Sequence, residues 1–301
     1  MPDWVLTAAI ATTLWASIAN IGLVSTPGSF AVTSARRRAV ARLGVLNLLA
    51  MPLVAALLVA AFGVPPAFAT GFLLVAAAAG GPLSITAARI AGGDAHLTVI
   101  LVVLAAALDA VVIPVWSALL LARDVPVPVL DIVRLVLAWI GLPLALGMVV
   151  RAARPTLAER LRRPTALIAS VGVPVVIVLA VLANVELAAV PGAWSVVPAS
   201  VSFVVLGLAA GWLIAGGDRA TRIAGSLVTA QRASTLALGI AITSFGDLGE
   251  AAFAVVVFGV LTTVVVPSIA IAMRGMRLAV PVSSAAASPV PAAPAPPEHG
   301  A

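Results

Sequence analysis

The sequence contains no cysteine, no lysine and no tyrosine, and charged residues occupy only 9% of its 301 positions. Without cysteine the chain has no disulfide, no thiolate ligand for a metal and no cysteine nucleophile. Soluble domains carry about 25% charged residues. The low charge and the 62% hydrophobic content exclude a soluble globular domain, so the composition predicts an integral membrane protein.

Motifs of catalysis and of nucleic-acid binding are also missing. The patterns His-Glu-x-x-His and Gly-x-Ser-x-Gly and clusters of aspartate do not occur, which argues against an intramembrane protease or a two-metal prenyl transferase. The formal net charge is +6, but the arginines lie at the edges of apolar segments. We therefore expect no enzymatic activity, no catalytic or metal-ligating residues, no cofactor and no nucleic-acid partner.

Nine apolar windows are long enough to cross a bilayer, which takes about 20 helical residues. They cover residues 4–24, 39–62, 66–88, 97–121, 128–150, 165–187, 195–215, 222–244 and 251–273. The sequence thus predicts an all-α membrane protein whose transmembrane domain spans residues 1–277. Residues 278–301 are rich in Ala, Pro and Ser and are expected to form a disordered cytoplasmic tail.

The placement of arginine predicts the orientation of these spans. With nine spans, all but three of the 17 arginines fall on one side of the membrane. Arg123 and Arg134 lie on the other side, and Arg232 lies inside a span. Because positive residues accumulate in cytoplasmic loops, we expect a multi-pass protein of the plasma membrane with its N-terminus outside and its C-terminus in the cytoplasm.

Two predicted spans carry features that are unusual inside a membrane helix. The third contains Gly80, Gly81 and Pro82 in succession, and three adjacent helix breakers can unwind a segment. The eighth contains Gln231 and Arg232 near its middle, where a charge costs on the order of 3 kcal/mol on insertion scales. Interrupted segments at corresponding positions of two halves point to the midplane site of a secondary transporter.

Four segments resemble the bile acid:sodium symporter family, in the order in which that family has them. They are IGLVSTPGSF at 21–30, NLLAMPLVAALL at 47–58, GGPLSITAARIAGGD at 80–94 and AQRASTLALGIAI at 230–242. The resemblance implies inverted repeats of four and five helices, a panel and a core domain, and two crossing, unwound helices in the core. It also implies alternating-access transport of a small organic anion, usually coupled to sodium.

The positions that correspond to the family's sodium ligands differ in this chain. Ile85 and Ala233 stand where the family has asparagine. Val228 replaces a glutamate shared by both sodium sites, and Arg232 replaces a glutamine. A hard cation needs several oxygen ligands, preferably anionic ones. The coupling ion is therefore open, with the proton as the alternative to sodium.

The candidate site residues fall into three groups. Polar side chains at the two unusual spans are the candidates for substrate contact: Arg232, Gln231, Ser84, Thr86 and Ser234. Polar side chains on neighbouring helices are the candidates for ion binding or coupling: Asp109, Thr98 and Asn47. The expected helix breakers are Gly80, Gly81 and Pro82. The hydroxyl groups are equally suited to helix packing.

Two interpretations of Arg232 stay open at this point. Asp109 is the only acidic residue at comparable depth, so the two side chains either form a structural ion pair, directly or through water, or act separately. In the second case the guanidinium replaces the missing sodium and attracts a carboxylate or sulfonate, while Asp109 is a proton site.

Other functions also remain compatible with the sequence. The first is a carrier of small organic anions. The second is a carrier of the same architecture for another cargo, which is either coupled to protons or a uniporter. The third is a sensor or scaffold that no longer transports. An arsenite permease is disfavoured because those proteins use a cysteine. Beyond the lipid bilayer and a small-molecule substrate, no obligate protein partner is implied.

Overall fold

The computed structural model describes residues 3–25, 34–120, 129–245 and 249–279, and the regular structure in these ranges is helical. The α-helices are α1 (Asp3–Val24), α2 (Ser34–Val45), α3 (Met51–Phe62), α4 (Pro66–Ala77), α5 (Leu83–Ala91), α6 (Ala95–Leu120), α7 (Val129–Val136), α8 (Leu142–Ala153), α9 (Pro155–Ala183), α10 (Val196–Ala215), α11 (Arg219–Ala230), α12 (Ser234–Ser244) and α13 (Gly249–Ala279). The prediction of an all-α membrane protein is confirmed. The described ranges do not include Arg123, the end of the first family-like segment or residues 280–301 of the predicted tail.

Within the described ranges, seven helical segments are long and apolar enough to cross a membrane. Two of them contain a π-helical turn: Leu46–Ala50 joins α2 to α3, and Leu137–Gly141 joins α7 to α8. The seven segments correspond to seven of the nine predicted windows. The other two windows, 66–88 and 222–244, are each divided into two short helices, α4 with α5 and α11 with α12.

The helix α9 begins earlier than its apolar window indicates. Its first residue is Pro155, whereas the window begins at 165. Proline is favoured in the first turn of a helix because its missing N–H has no partner there in any case. A hydropathy window therefore marks only the apolar part of this helix and misses the arginine-rich first turns.

The helices form two packing groups. In the first group, α1 packs against α8 and α9. Gly22 of α1 and Gly147 of α8 meet backbone to backbone, since a Cβ on Gly22 would lie 2.5 Å from the carbonyl oxygen of Leu144 and 2.9 Å from the Cα of Gly147. Such close approach of small residues is a common way for membrane helices to associate.

The second group is centred on α10, which packs against α3, α11 and α13, while α13 also packs against α4 and α5. Its interior contains Phe72, Phe203 and Phe258, whose rings meet edge to face at centroid distances of 5.7 to 6.3 Å. This is the favoured arrangement of buried aromatic pairs. Both interrupted segments belong largely to this group.

Candidate functional site

The first interruption covers residues 78–82, between α4 and α5. Gly80 adopts a left-handed conformation with φ of 72°, which glycine reaches without the steric cost that a Cβ imposes. Ser84 stabilises the first turn of α5, because its backbone N–H and its Oγ both donate to the carbonyl oxygen of Gly81, at 3.0 and 2.7 Å. The interruption thus coincides with Gly80, Gly81 and Pro82.

The second interruption covers Gln231, Arg232 and Ala233, between α11 and α12. It contains no glycine or proline, yet Gln231 has extended φ and ψ angles of −89° and 127°. A tertiary bond replaces the helical pattern here, since the N–H of Ala233 donates to the carbonyl oxygen of Ala78 at 3.0 Å. The second helix is therefore opened by its contact with the first interruption.

The two interruptions cross in direct contact. A Cβ on Gly81 would lie 2.5 Å from the carbonyl oxygen of Arg232 and 2.8 Å from the Cγ of Gln231. Irregular backbone at membrane depth is tolerated where it is buried in protein or lines a cavity. The crossing meets both conditions, because Ala78 is fully buried whereas Gly80 and Arg232 line a cavity.

Arg232 is the largest fully buried side chain in the described part of the protein, with 1% of its surface exposed. Its Nη1 donates to the backbone carbonyl of Asn47 at 3.2 Å. Its Cζ lies 5.3 Å from the ring centroid of Phe203, which is within the range of a cation–π contact. Its Nε and Nη2 have no hydrogen-bond partner among the described residues.

Asp109 on α6 is buried at the same crossing. Its Oδ1 accepts a hydrogen bond from the N–H of Ala79 at 3.3 Å, while its Oδ2 has no partner in the described ranges. No nitrogen of the Arg232 guanidinium lies within 4.0 Å of this carboxylate. The direct form of the structural ion pair is therefore absent from this conformation, and the form that is mediated by water stays a prediction.

A cavity of about 260 Å³ lies against the crossing. On one side it is lined by α1 and α9 of the first packing group, and on the other by both interruptions, α5, α12 and α13. Seven of the candidate residues line it: Gly80, Pro82, Thr86, Asp109, Gln231, Arg232 and Ser234. The structure thus brings together at one cavity residues that are up to 154 positions apart in the chain.

Unpaired polar atoms are concentrated at this cavity. Asp109 Oδ2, Gln231 Oε1, Arg232 Nε and Nη2, and Ser234 Oγ are all buried without a partner in the described part of the chain, and all four residues line the cavity. Buried polar groups in native proteins almost always have partners. These unpaired atoms therefore mark the crossing as an exceptional part of the described interior.

The other four candidates lie outside the cavity lining. Gly81 is in the crossing itself, and the hydroxyls of Ser84 and Thr98 donate to the carbonyls of Gly81 and Asp94. Asn47 is at a π-helical turn, where its Nδ2 donates to the carbonyl of Leu43 at 2.8 Å and to Thr229 Oγ1 at 3.0 Å. These contacts support the backbone around the crossing.

Three apolar side chains stand at positions where the family resemblance implies sodium ligands. The side chains of Ile85, Val228 and Ala233 carry no oxygen. The Arg232 guanidinium, which contacts the backbone carbonyl of Asn47, adds a positive charge at the crossing.

Several residues of the site were missed by the sequence analysis. No local sequence pattern indicates a role for Phe203, because its contact with Arg232 depends on how α10 packs in the fold. Arg89 and Arg162 lie outside the nine apolar windows, yet both line the cavity. A signal did exist on α9, where the lining positions follow the spacing of a helix face: Arg162, Ala166, Ala169, Ser170, Val173, Val176 and Ile177.

Comparison with known proteins agrees with this geometry. A curated relative, the probable sodium/metabolite cotransporter BASS3, chloroplastic, of Oryza sativa subsp. japonica, is 34% identical over 97 residues. The aligned part is 32% of this chain and 23% of the relative, so the chain spans less than a quarter of that protein's length. Residues 9–190, which include the first interruption and Asp109, match the sequence model of the Sodium Bile acid symporter family. Both names are those of transporters rather than enzymes. The family match covers more than half of the chain, and the protein therefore belongs to the sodium bile acid symporter family.

Proposed function

We propose that the protein is a secondary transporter of small organic anions, with the cavity at the crossing as its substrate site. The observation that carries this proposal is Arg232, a fully buried guanidinium beside the cavity with two nitrogen atoms unpaired in the described part of the chain. A buried and unpaired charge is costly, so an anion that enters the cavity and pairs with it gains much of that energy.

The two unpaired nitrogens are suited to a carboxylate or a sulfonate. Nε and Nη2 lie on the same edge of the guanidinium plane, and two parallel N–H groups bind two oxygens of an anion in the bidentate manner that favours arginine. Nη1, on the far end, is occupied by the Asn47 carbonyl. The contact with Phe203 holds the plane in place, so the anion-binding edge is oriented before the substrate arrives.

The architecture supports alternating access. We propose that α4 with α5 and α11 with α12 each cross the membrane once, which gives nine crossings in inverted repeats of four and five, an outside N-terminus and a cytoplasmic C-terminus in the plasma membrane. The cavity lies between the two packing groups. Its solvent-exposed lining residues include Thr86, Arg89 and Arg162, which supports an opening towards the arginine-rich side that we propose to be cytoplasmic.

The proposed mechanism does not use sodium, although the family and the relative carry that word in their names. Arg232 supplies a fixed positive charge at the crossing, and its bond to the Asn47 carbonyl ties it to the turn between α2 and α3. The absence of side-chain oxygens at Ile85, Val228 and Ala233 supports the same conclusion.

Asp109 is the candidate for proton coupling. It is the only acidic residue among those that line the cavity in the described ranges, and its Oδ2 has no partner there. The charged groups that share the cavity with it are Arg232 at the crossing and Arg89 and Arg162 at the open end. A proton on Oδ2 would change the net charge beside Arg232 by one unit, which links anion binding to proton binding.

The test is transport by purified protein in liposomes. Carboxylates and sulfonates are first screened for thermal stabilisation, and the most stabilising compound is then used in radiolabelled form. We expect uptake above that of protein-free liposomes, lost in Arg232→Gln and retained in Arg222→Gln, whose side chain is exposed on α11 and does not line the cavity.

Two results would contradict the proposal. Absence of uptake by the unaltered protein would favour the sensor or scaffold, because a carrier must show substrate-dependent flux. Undiminished uptake by Arg232→Gln, at equal protein density, would remove Arg232 from the substrate site.

A further inference from the structure

We propose that Arg89 and Arg162 form a second anion subsite at the open end of the cavity, and that the preferred substrates are therefore dianions with an apolar middle. One anionic group contacts Arg232 at the crossing and the other contacts the subsite. This inference rests on the proposed function, because it takes the cavity as the substrate site, and it adds the charge and shape of the substrate.

The charges that line the cavity are the first support. Arg89, Arg162 and Arg232 are the three basic residues, and Asp109 is the one acidic residue, among the lining residues that the structure describes. With Asp109 ionised, the lining has an excess of two positive charges. A monoanion leaves one of them uncompensated, whereas a dianion balances both.

The availability of the two arginines is the second support. The Arg89 side chain makes no hydrogen bond or ion pair within the described ranges. Within the same ranges Arg162 has one ion-pair partner, Glu159, at 3.4 Å, and the same carboxylate is shared with Arg151 at 3.1 Å. Exposed pairs of this kind are worth little, so among the described residues neither guanidinium group has a strong partner that a ligand would have to displace.

The spacing along the cavity is the third support. Arg89 follows Pro82 by seven residues on α5, which places its Cα about 10 Å from the first interruption at the rise of an α-helix. Between the two ends, α9 presents Ala166, Ala169 and Val173 to the cavity. Along the cavity, charged residues at both ends are thus separated by apolar residues. A ligand with anionic groups at both ends and a hydrocarbon chain between them matches this order.

The experiment compares two series of probes on the purified full-length protein. Unbranched α,ω-dicarboxylates from four to twelve carbons are measured against monocarboxylates of the same lengths by thermal shift and by competition. We expect a diacid of matching length to bind about tenfold more tightly than the monoacid, which is the usual worth of one additional charged hydrogen bond. In the variant Arg89→Gln/Arg162→Gln this preference should disappear, so that diacids and monoacids of the same length bind with similar affinity.

The matched control is Arg222→Gln/Arg154→Gln, which removes two exposed arginines outside the cavity lining and should keep the preference for diacids. An unchanged preference in Arg89→Gln/Arg162→Gln, equal loss of monoacid and diacid affinity in it, or no preference in the unaltered protein would each overturn the subsite. If monoacids still bind through Arg232, the proposed function survives that result. If neither series binds, both proposals are overturned.

Discussion

The backbone N–H of Ala233 donates to the carbonyl oxygen of Ala78 at 3.0 Å, joining the two interrupted segments at the point where they cross. In an uninterrupted helix this N–H would donate to the carbonyl four residues earlier. The polar groups that each interruption releases are thus partly satisfied by the other, and neither segment would be expected to keep its shape alone. The site at Arg232 depends on this mutual support.

The close contact at Gly81 gives a direct test of the crossing. Gly81→Ala places a Cβ 2.5 Å from the carbonyl oxygen of Arg232, and overpacking of this kind costs about 1–3 kcal/mol. We expect a lower midpoint of thermal unfolding in detergent and weaker anion binding. Gly44→Ala is the control, because no atom lies within 4 Å of a Cβ at Gly44. Equal stability of the two variants would contradict the crossing contact.

The hydrogen bond between Asn47 and Thr229 should couple the turn after α2 to α11. In a double-mutant cycle with Asn47→Leu and Thr229→Val, we expect a coupling free energy of about 1 kcal/mol, typical of a buried hydrogen bond. Asn184 offers a matched comparison, since its Nδ2 makes the same bond to a carbonyl four residues earlier but has no hydrogen bond to another helix within the described ranges. Strictly additive effects at Asn47 and Thr229 would show that the 3.0 Å contact does not stabilise the protein.

Phe203 should stabilise the Arg232 guanidinium through its ring. Phe203→Leu is expected to reduce the free energy of unfolding by the cost of a smaller side chain plus the cation–π contact, which is worth about 2 kcal/mol when desolvated. In an Arg232→Gln background the second part should vanish. Phe68→Leu, whose ring instead meets Phe253, should have the same effect in both backgrounds. An identical effect of Phe203→Leu with and without Arg232 would rule out the interaction.

Asp109→Asn separates a structural role from a coupling role. The amide oxygen of asparagine can still accept the hydrogen bond from Ala79, and no ion pair within 4.0 Å is broken. We therefore expect a folded yield close to that of the unaltered protein and uptake that no longer responds to a pH gradient across the liposome. A collapse of folded yield that Arg232→Gln restores would instead show that the two residues stabilise each other as a pair.

The sequence predicts local features of this fold well and non-local ones poorly. Apolar runs locate the seven long segments because burial in lipid acts on every residue of a run. Gly80, Gly81 and Pro82 indicate the first interruption because their backbone preferences are local. Residues 231–233 have no such preference, and an opening there was indicated only by the polar and charged side chains of Gln231 and Arg232 and by the family resemblance.

The contacts of Arg232 could not be predicted for the same reason. Its partners Asn47 and Phe203 lie on other helices, and the contact with Asn47 is made through a backbone carbonyl, which no side-chain pattern reveals. The sequence did identify Arg232 as a buried charge that needs a partner. It also offered Asp109 as that partner, whereas in the structure the two side chains share a cavity without direct contact within 4.0 Å.

The central claim, that Arg232 provides the positive charge that a sodium ion would otherwise supply, is tested most directly by ion-dependent stability. The purified protein is titrated with sodium, potassium and choline at constant ionic strength and at two pH values, and the midpoint of thermal unfolding is recorded. A ligand that binds the folded state raises this midpoint in a saturable way. The account predicts no difference between the three cations. A saturable rise specific to sodium would contradict it.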